Sequence, residues 1–141
     1  MTPTRNPSNE CFRCHSHSYF CSNDRGKNLY AFWKDHIVAL LNKELENSNS
    51  DIIINLASNE YISAVDLNQL NARKIDVLFK EKKNGVYKII GISAKQARGL
   101  MVRYIVQNQI TEPQHLKEFN VADYSFHKEF SSDDELVFVR G

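Results

Sequence analysis

IDVLFKEKKNGVYKIIGISAKQARGLMVRYIVQNQ, residues 75–109, decides the fold. Ile75, Val77 and Phe79 recur at a period of two, the spacing of a strand with one buried face. Asn84-Gly85 follows, and these two residue types accept the positive φ angles that a two-residue hairpin turn demands. The spacing therefore predicts a hairpin whose return strand runs from Val86 to Ile92. A helix from about Ala94 to Gln109 follows almost without a loop. At 100° per residue, Ala97, Leu100, Met101 and Tyr104 gather on one side. Lys95, Gly99, Val102, Arg103 and Val106 centre on the other, with Arg98 on the boundary.

On the amino side, Leu29, Trp33, Ile37, Leu40, Leu41 and Leu45 recur at three- and four-residue spacing. They predict an amphipathic helix of about 20 residues beginning after Asn23, capped by Asp24 and ending at Asn47 to Ser50. DIIINL, Asp51 to Leu56, reads as a short central strand buried on both faces. Ser58 or Asn59 caps a short helix carrying Tyr61, Ile62 and Val65, and Asn68 to Ala72 forms a connection. Beyond the hairpin, Thr111 caps a short helix to Phe119 with Pro113 in its first turn. Phe119, Tyr124, Phe126 and Phe130 punctuate an irregular stretch, and Glu135 to Arg140 reads as a final strand. Residues 1–22, rich in Asn, Ser, Pro and Thr without apolar period, are expected to form a disordered arm ahead of residues 23–141. The class is α/β, with α+β as its variant: a mixed sheet with an antiparallel Asn-Gly hairpin, flanked by two long helices.

The 141 residues, 42% apolar and 25% charged, suit one soluble domain. No apolar run approaches the roughly 20 residues of a membrane span. The first ten residues lack the layout of a secretory leader, so the expected compartment is the cytoplasm, with the three cysteines as thiols or ligands. The net charge of +1 hides a gradient. Residues 1–72 hold six Lys/Arg against eight Asp/Glu, residues 73–103 nine against two, and residues 111–141 three against seven. The middle block carries a concentrated positive field of the kind that attracts polyanions, although lysines on the outer side of a hairpin also occur simply solvated.

Two constellations carry candidate chemistry. Lys95, Arg98 and Arg103, with the hairpin lysines Lys82, Lys83 and Lys88, are candidates for phosphate contact. Gly99 on the same helix lets a backbone or a phosphate approach closely. Asn55, Ser58, Glu60 and Tyr61 follow a strand end, where crevices form in open sheets. They supply an amide, a hydroxyl, a carboxylate and a stacking ring, or else simply cap a helix. Cys11, Cys14, His15, His17 and Cys21 are weak metal candidates. Their C-x-x-C spacing suits two thiolates, but no second pair lies farther along the chain to brace the site. His36, His115 and His127 lie apart. No phosphate loop, dinucleotide fingerprint, nucleophile elbow or zinc-protease motif occurs, and no catalytic residue or cofactor is called for.

Five motifs then fall in order: Arg25-Gly26-Lys27-Asn28-Leu29-Tyr30-x-Phe32-Trp33; Asn55-Leu56-Ala57-Ser58-x-Glu60-Tyr61; Glu81-Lys82-Lys83-Asn84-Gly85-x-Tyr87-Lys88-Ile89-Ile90; Ala94-Lys95-x-Ala97-Arg98-Gly99-Leu100-Met101-x-Arg103; and Glu135-Leu136-Val137-Phe138. Over residues 23–140 the chain resembles the C-terminal half of the peroxide stress resistance protein YaaA family. The resemblance implies a cytosolic bacterial protein that limits peroxide damage, lowers free intracellular iron and binds DNA through a positively charged cleft. It also implies a missing N-terminal half that would share the core. Lys95, Arg98 and Arg103 match the family's basic helix, and Asn55, Ser58, Glu60 and Tyr61 its strand-end motif.

Three readings result. The first is a stress-protective protein, not an enzyme, holding DNA electrostatically without reading its sequence. The second is an enzyme for a small anion or nucleotide, with Asn55, Ser58, Glu60 and Tyr61 facing Lys95 and Arg98. The third is a truncated chain left without function for want of half its domain. Oligomeric state is not legible.

Overall fold

The computed structural model describes residues 29–141. The expected arm, the Asp24 cap and the cysteine–histidine cluster lie outside the described residues. Helix α1, Leu29–Ser48, leads to strand β1, Ile52–Asn55, and a one-turn helix α2, Asn59–Ile62. A 3-10 turn, Leu67–Gln69, precedes the long strand β2, Arg73–Lys83. Then come β3, Val86–Lys88; helix α3, Gly91–Gln107; a 3-10 helix, Pro113–Glu118; β4, Ser125–Phe126; a 3-10 turn, Lys128–Phe130; and β5, Glu135–Arg140.

The sheet is mixed, in the order β1-β2-β5-β4, with β3 also on β2. β1 and β5 run parallel to β2, with Ile52 opposite Arg73 and Asp76 opposite Glu135. β3 pairs antiparallel with the far end of β2, Glu81 opposite Lys88, and β4 pairs antiparallel with β5. Asn84 at φ 53° and Gly85 at φ 79° make the turn that the Asn-Gly pair predicts.

Three expectations are corrected. β1 is an edge strand of the described sheet and β2 the central one. A β-branched run marks a strand but not its place among its partners. The return strand stops at Lys88, because α3 begins at Gly91, three residues ahead of its expected start. The Leu29 to Leu45 stripe is only partly the buried side of α1: Leu45 is buried and Ile37 and Leu41 are half-buried, but Leu40 is 61% and Trp33 42% exposed, and Val38, outside the stripe, is buried.

Both long helices end in the same way, without glycine. Ser50 N–H bonds to Leu45 O and Asn49 N–H to Glu46 O, with Asn49 at φ 49°. Ile110 N–H bonds to Ile105 O and Gln109 N–H to Val106 O, with Gln109 at φ 49°. These are Schellman motifs that place Asn and Gln in the left-handed region usually given to glycine.

One face of β2 carries Ile75, Val77 and Phe79, each at most 4% exposed. They meet Ala94, Ala97 and Met101 of α3, Leu116 and Phe119, and Leu136 and Phe138 of β5. Phe79 stacks on Phe138 at 5.5 Å, and Phe119 stands edge-on to Phe79, Tyr104 and Phe138. Each such pair adds about 0.5–1.5 kcal/mol to the area it buries. α1 contributes nothing to this cluster. It is tied on through polar contacts: Asn42 Nδ2 donates to Gln69 O at 2.8 Å and Asn42 Oδ1 accepts from Asn71 N at 3.0 Å, while Lys34 meets Asp66 at 3.1 Å.

Candidate functional site

The strand-end motif divides rather than converging. Asn55, the last residue of β1, is 7% exposed. Its Nδ2 donates to Asp76 Oδ1 at 2.6 Å and its Oδ1 accepts from Ala57 N at 3.0 Å. Lys74 forms an ion pair with the other oxygen of Asp76. Burial pushes the Asp76 carboxyl up, but the Asn55 amide and the Lys74 ammonium outweigh it, leaving its pKa below the usual carboxylate value. The amide is thus committed within the fold. Ser58 stands at the amino end of α2 without a side-chain cap bond. Glu60 accepts a hydrogen bond from Tyr30 of α1 at 3.1 Å, and Tyr61, 62% exposed, meets Tyr30 edge-on. The Glu60 hydrogen bond raises the Tyr30 phenol above its ordinary pKa.

Side chains alternate along β2, so Asp76 points away from the face that Ile75 and Val77 present to α3. Asn55, Asp76 and Lys74 therefore lie on one side of the sheet and α3, with Lys95 and Arg98, on the other. The structure thus sets Asn55 on the other side of the sheet from Lys95 and Arg98, while Glu60 and Tyr61 make their contacts with Tyr30 of α1. Two hollows, about 330 and 210 Å³, open at the amino ends of β1 and β2. None of the candidate site residues lines them.

The cations show a clearer pattern. Of the nine in residues 73–103, Arg73 pairs with Asp134 at 2.5 Å and Lys74 with Asp76. The block's two acids are themselves engaged, Asp76 as above and Glu81 by Arg140 at 2.5 Å. Lys80, Lys82, Lys83, Lys88, Lys95, Arg98 and Arg103 have no ion pair among the described residues. They run from the hairpin onto α3, separated only by Ile89 and Ile90. By strand alternation Lys83 and Lys88 project toward the α3 side, and Lys80 and Lys82 toward the opposite face. There Lys80 caps the Phe130 ring at 5.5 Å and Lys82 the Tyr87 ring at 5.9 Å. On α3, Lys95 and Arg103 are exposed and Arg98 is half-buried.

A polar knot that sequence reasoning missed fixes this region. Glu81 Oε1 accepts from Tyr124 Oη at 2.7 Å and from Arg140, and Ser93 at the start of α3 also hydrogen-bonds it. These donors hold the Glu81 carboxyl below its usual value. Burial and the Glu81 contact push the Tyr124 phenol up to about 12. Arg140 lies over the Tyr124 ring at 4.9 Å. The knot ties β2, β5 and the first turn of α3 together on the side of the sheet where Lys83 and Lys88 also project. An acid at Asp76, inside the apolar run of β2, was the signal available for the other network.

A family model described as peroxide stress protein YaaA matches residues 11–130, beginning within the stretch set apart above as an arm. A UPF0246 protein of Francisella philomiragia is 50% identical over 115 residues, covering 82% of this chain and 45% of its own length. UPF0246 proteins of Neisseria gonorrhoeae and of Neisseria meningitidis serogroup A are 50% identical over 119 residues, covering 84% of this chain and 46% of theirs. The chain thus spans about half the length of the curated relatives it matches. With a match over most of its residues, the chain belongs to the peroxide stress protein YaaA family.

Proposed function

We propose that this chain supplies the polyanion-holding part of a peroxide stress protein and that its partner is DNA. The supporting observation is the set of seven cations without ion pairs on the hairpin and α3, in a chain whose net charge is only +1. Uncompensated charges this close in sequence, five of them (Lys83, Lys88, Lys95, Arg98 and Arg103) on the same side of the sheet, sum to a local field that the net charge conceals. Most protein–DNA hydrogen bonds go to phosphate and sugar, and in this proposal these lysines and arginines make such contacts, with binding that does not depend on sequence. Protection of DNA against peroxide and a lower level of free intracellular iron belong to the same proposal, read out in the whole protein.

The experiment compares retention of a mixed-sequence duplex by the chain and by a variant carrying Lys95→Gln, Arg98→Gln and Arg103→Gln. Loss of three phosphate contacts weakens binding by at least tenfold at low salt. Unchanged retention by a variant that melts like the parent refutes the proposal.

A further inference from the structure

Helix α3 turns an apolar seam to solvent. Ile92 is 77% exposed, Val106 70% and Val102 47%. At 100° per residue these three and Gly99 fall within one stripe about 80° wide over four turns, which exposed Lys95 shares. A Cβ built on Gly99 meets nothing within 4 Å, so no packing among the described residues requires a glycine there. A helix interior disfavours glycine relative to alanine, and its residual use is to let another backbone come close. The seam has the make-up of a helix-packing face, with a small residue near its middle and branched residues on either side.

The charges beside the seam select the occupant. α3 contains no Asp or Glu, and Lys95, Arg98 and Arg103 are its only charged residues. Ile92 and Val106 lie seven residues before and after Gly99, so a second copy crossing antiparallel at Gly99 would set Lys95 of one copy against Arg103 of the other. Like charges in that position repel. The occupant therefore has neutral or acidic borders. This chain covers 45% and 46% of its relatives' lengths, so more than half of the family chain lies outside it. We propose that the Ile92–Gly99–Val102–Val106 seam is the docking face for an apolar helix contributed by the portion of the family chain that this sequence does not span. Arg98 and Arg103 flank that contact, and Lys95, which starts within the stripe, extends its long side chain past the edge to keep its charged end in water. This inference does not depend on the polyanion reading.

The test uses Gly99→Ala in two settings. One is the chain itself. The other is a full-length hybrid joining this chain to the unmatched portion of the Neisseria gonorrhoeae relative. In the chain alone the added methyl enters open space and improves helix propensity, raising Tm by about 2–5 °C. In the hybrid the same methyl holds the docked backbone off, and Tm falls. The hybrid also melts higher than the chain, and Val106→Asp lowers the hybrid's Tm by more than about 5 °C while leaving the chain's within about 1 °C. A hybrid that melts no higher than the chain, or one that Gly99→Ala stabilises, overturns the proposal. So does a dimer of the chain alone that Val106→Asp dissolves, because the seam would then belong to self-association. If the chain alone gives no cooperative transition, the sign of the Gly99→Ala shift in the hybrid decides.

Discussion

Asn55→Leu separates a structural role for the strand-end motif from a ligand-binding one. Leucine matches asparagine closely in size, so no large cavity opens. What is lost is the 2.6 Å bond from the amide to Asp76 and the acceptor for Ala57 N–H. A hydrogen bond to a charged group contributes about 1.5–3 kcal/mol, and an orphaned, partly buried N–H costs about 1 kcal/mol or more. The added apolar burial returns roughly 1 kcal/mol. The net loss is about 2–3 kcal/mol, which lowers the Tm of a domain of this size by roughly 8–12 °C. The assay is thermal unfolding followed by circular dichroism at pH 7, repeated at acid pH. Asp76 has a folded pKa below its ordinary value, so the stability it supplies is full above the usual carboxylate range and is lost as pH falls through the lower folded value. Part of the Asn55 contribution depends on that charge, so the gap between parent and variant narrows in acid. A variant that melts within about 1 °C of the parent at pH 7 refutes this reasoning.

Other outcomes follow from the same structure. Tyr124→Phe removes one of three donors to Glu81 and lowers stability by about 1 kcal/mol in denaturant titration, whereas Glu81→Leu strands the buried Tyr124 hydroxyl and lowers it by more. Equal effects would dissolve the knot as a unit. Gln109→Gly relieves a left-handed residue at the end of α3 and raises stability by roughly 0.5–1 kcal/mol, measured by urea midpoint at unchanged slope. Gly85→Ala, at φ 79°, destabilises the hairpin by about 1 kcal/mol, although its Cβ meets nothing within 4 Å. A neutral result there would rule out backbone conformation as the reason for the glycine.

The parts of the fold legible in the sequence are those whose causes are local. The Asn84-Gly85 turn, the period-two run of β2 and the Ala97–Met101 side of α3 each depend on residues within a few positions, and the structure has them as read. β5 occupies the stretch from Glu135 to Arg140 that the sequence marks. The place of β1 at an edge was not legible, because strand order is set by pairing between segments about 20 to 60 residues apart. The stripe on α1 held at Ile37, Leu41 and Leu45 but not at Trp33 and Leu40, because periodicity marks a face without saying how far a partner covers it. The helix ends near Asn49 and Gln109 fell where the sequence analysis put them, but the left-handed conformation of Gln109 was not announced, since glycine or asparagine usually takes that place. Among the candidate site residues, spacing collected Lys95, Arg98 and Arg103 on one helix. It did not show that none of the three has an ion pair among the described residues. Nor did it show that Asn55 turns inward to Asp76, since that contact crosses 21 residues of chain.

The most direct test of the central claim is the salt dependence of duplex DNA affinity for the intact chain. If the five cations without ion pairs on the α3 side contact phosphates, log affinity falls linearly with log salt, with a slope approaching about −4 to −5. A slope near zero, or affinity that follows base sequence instead of ionic strength, contradicts the account.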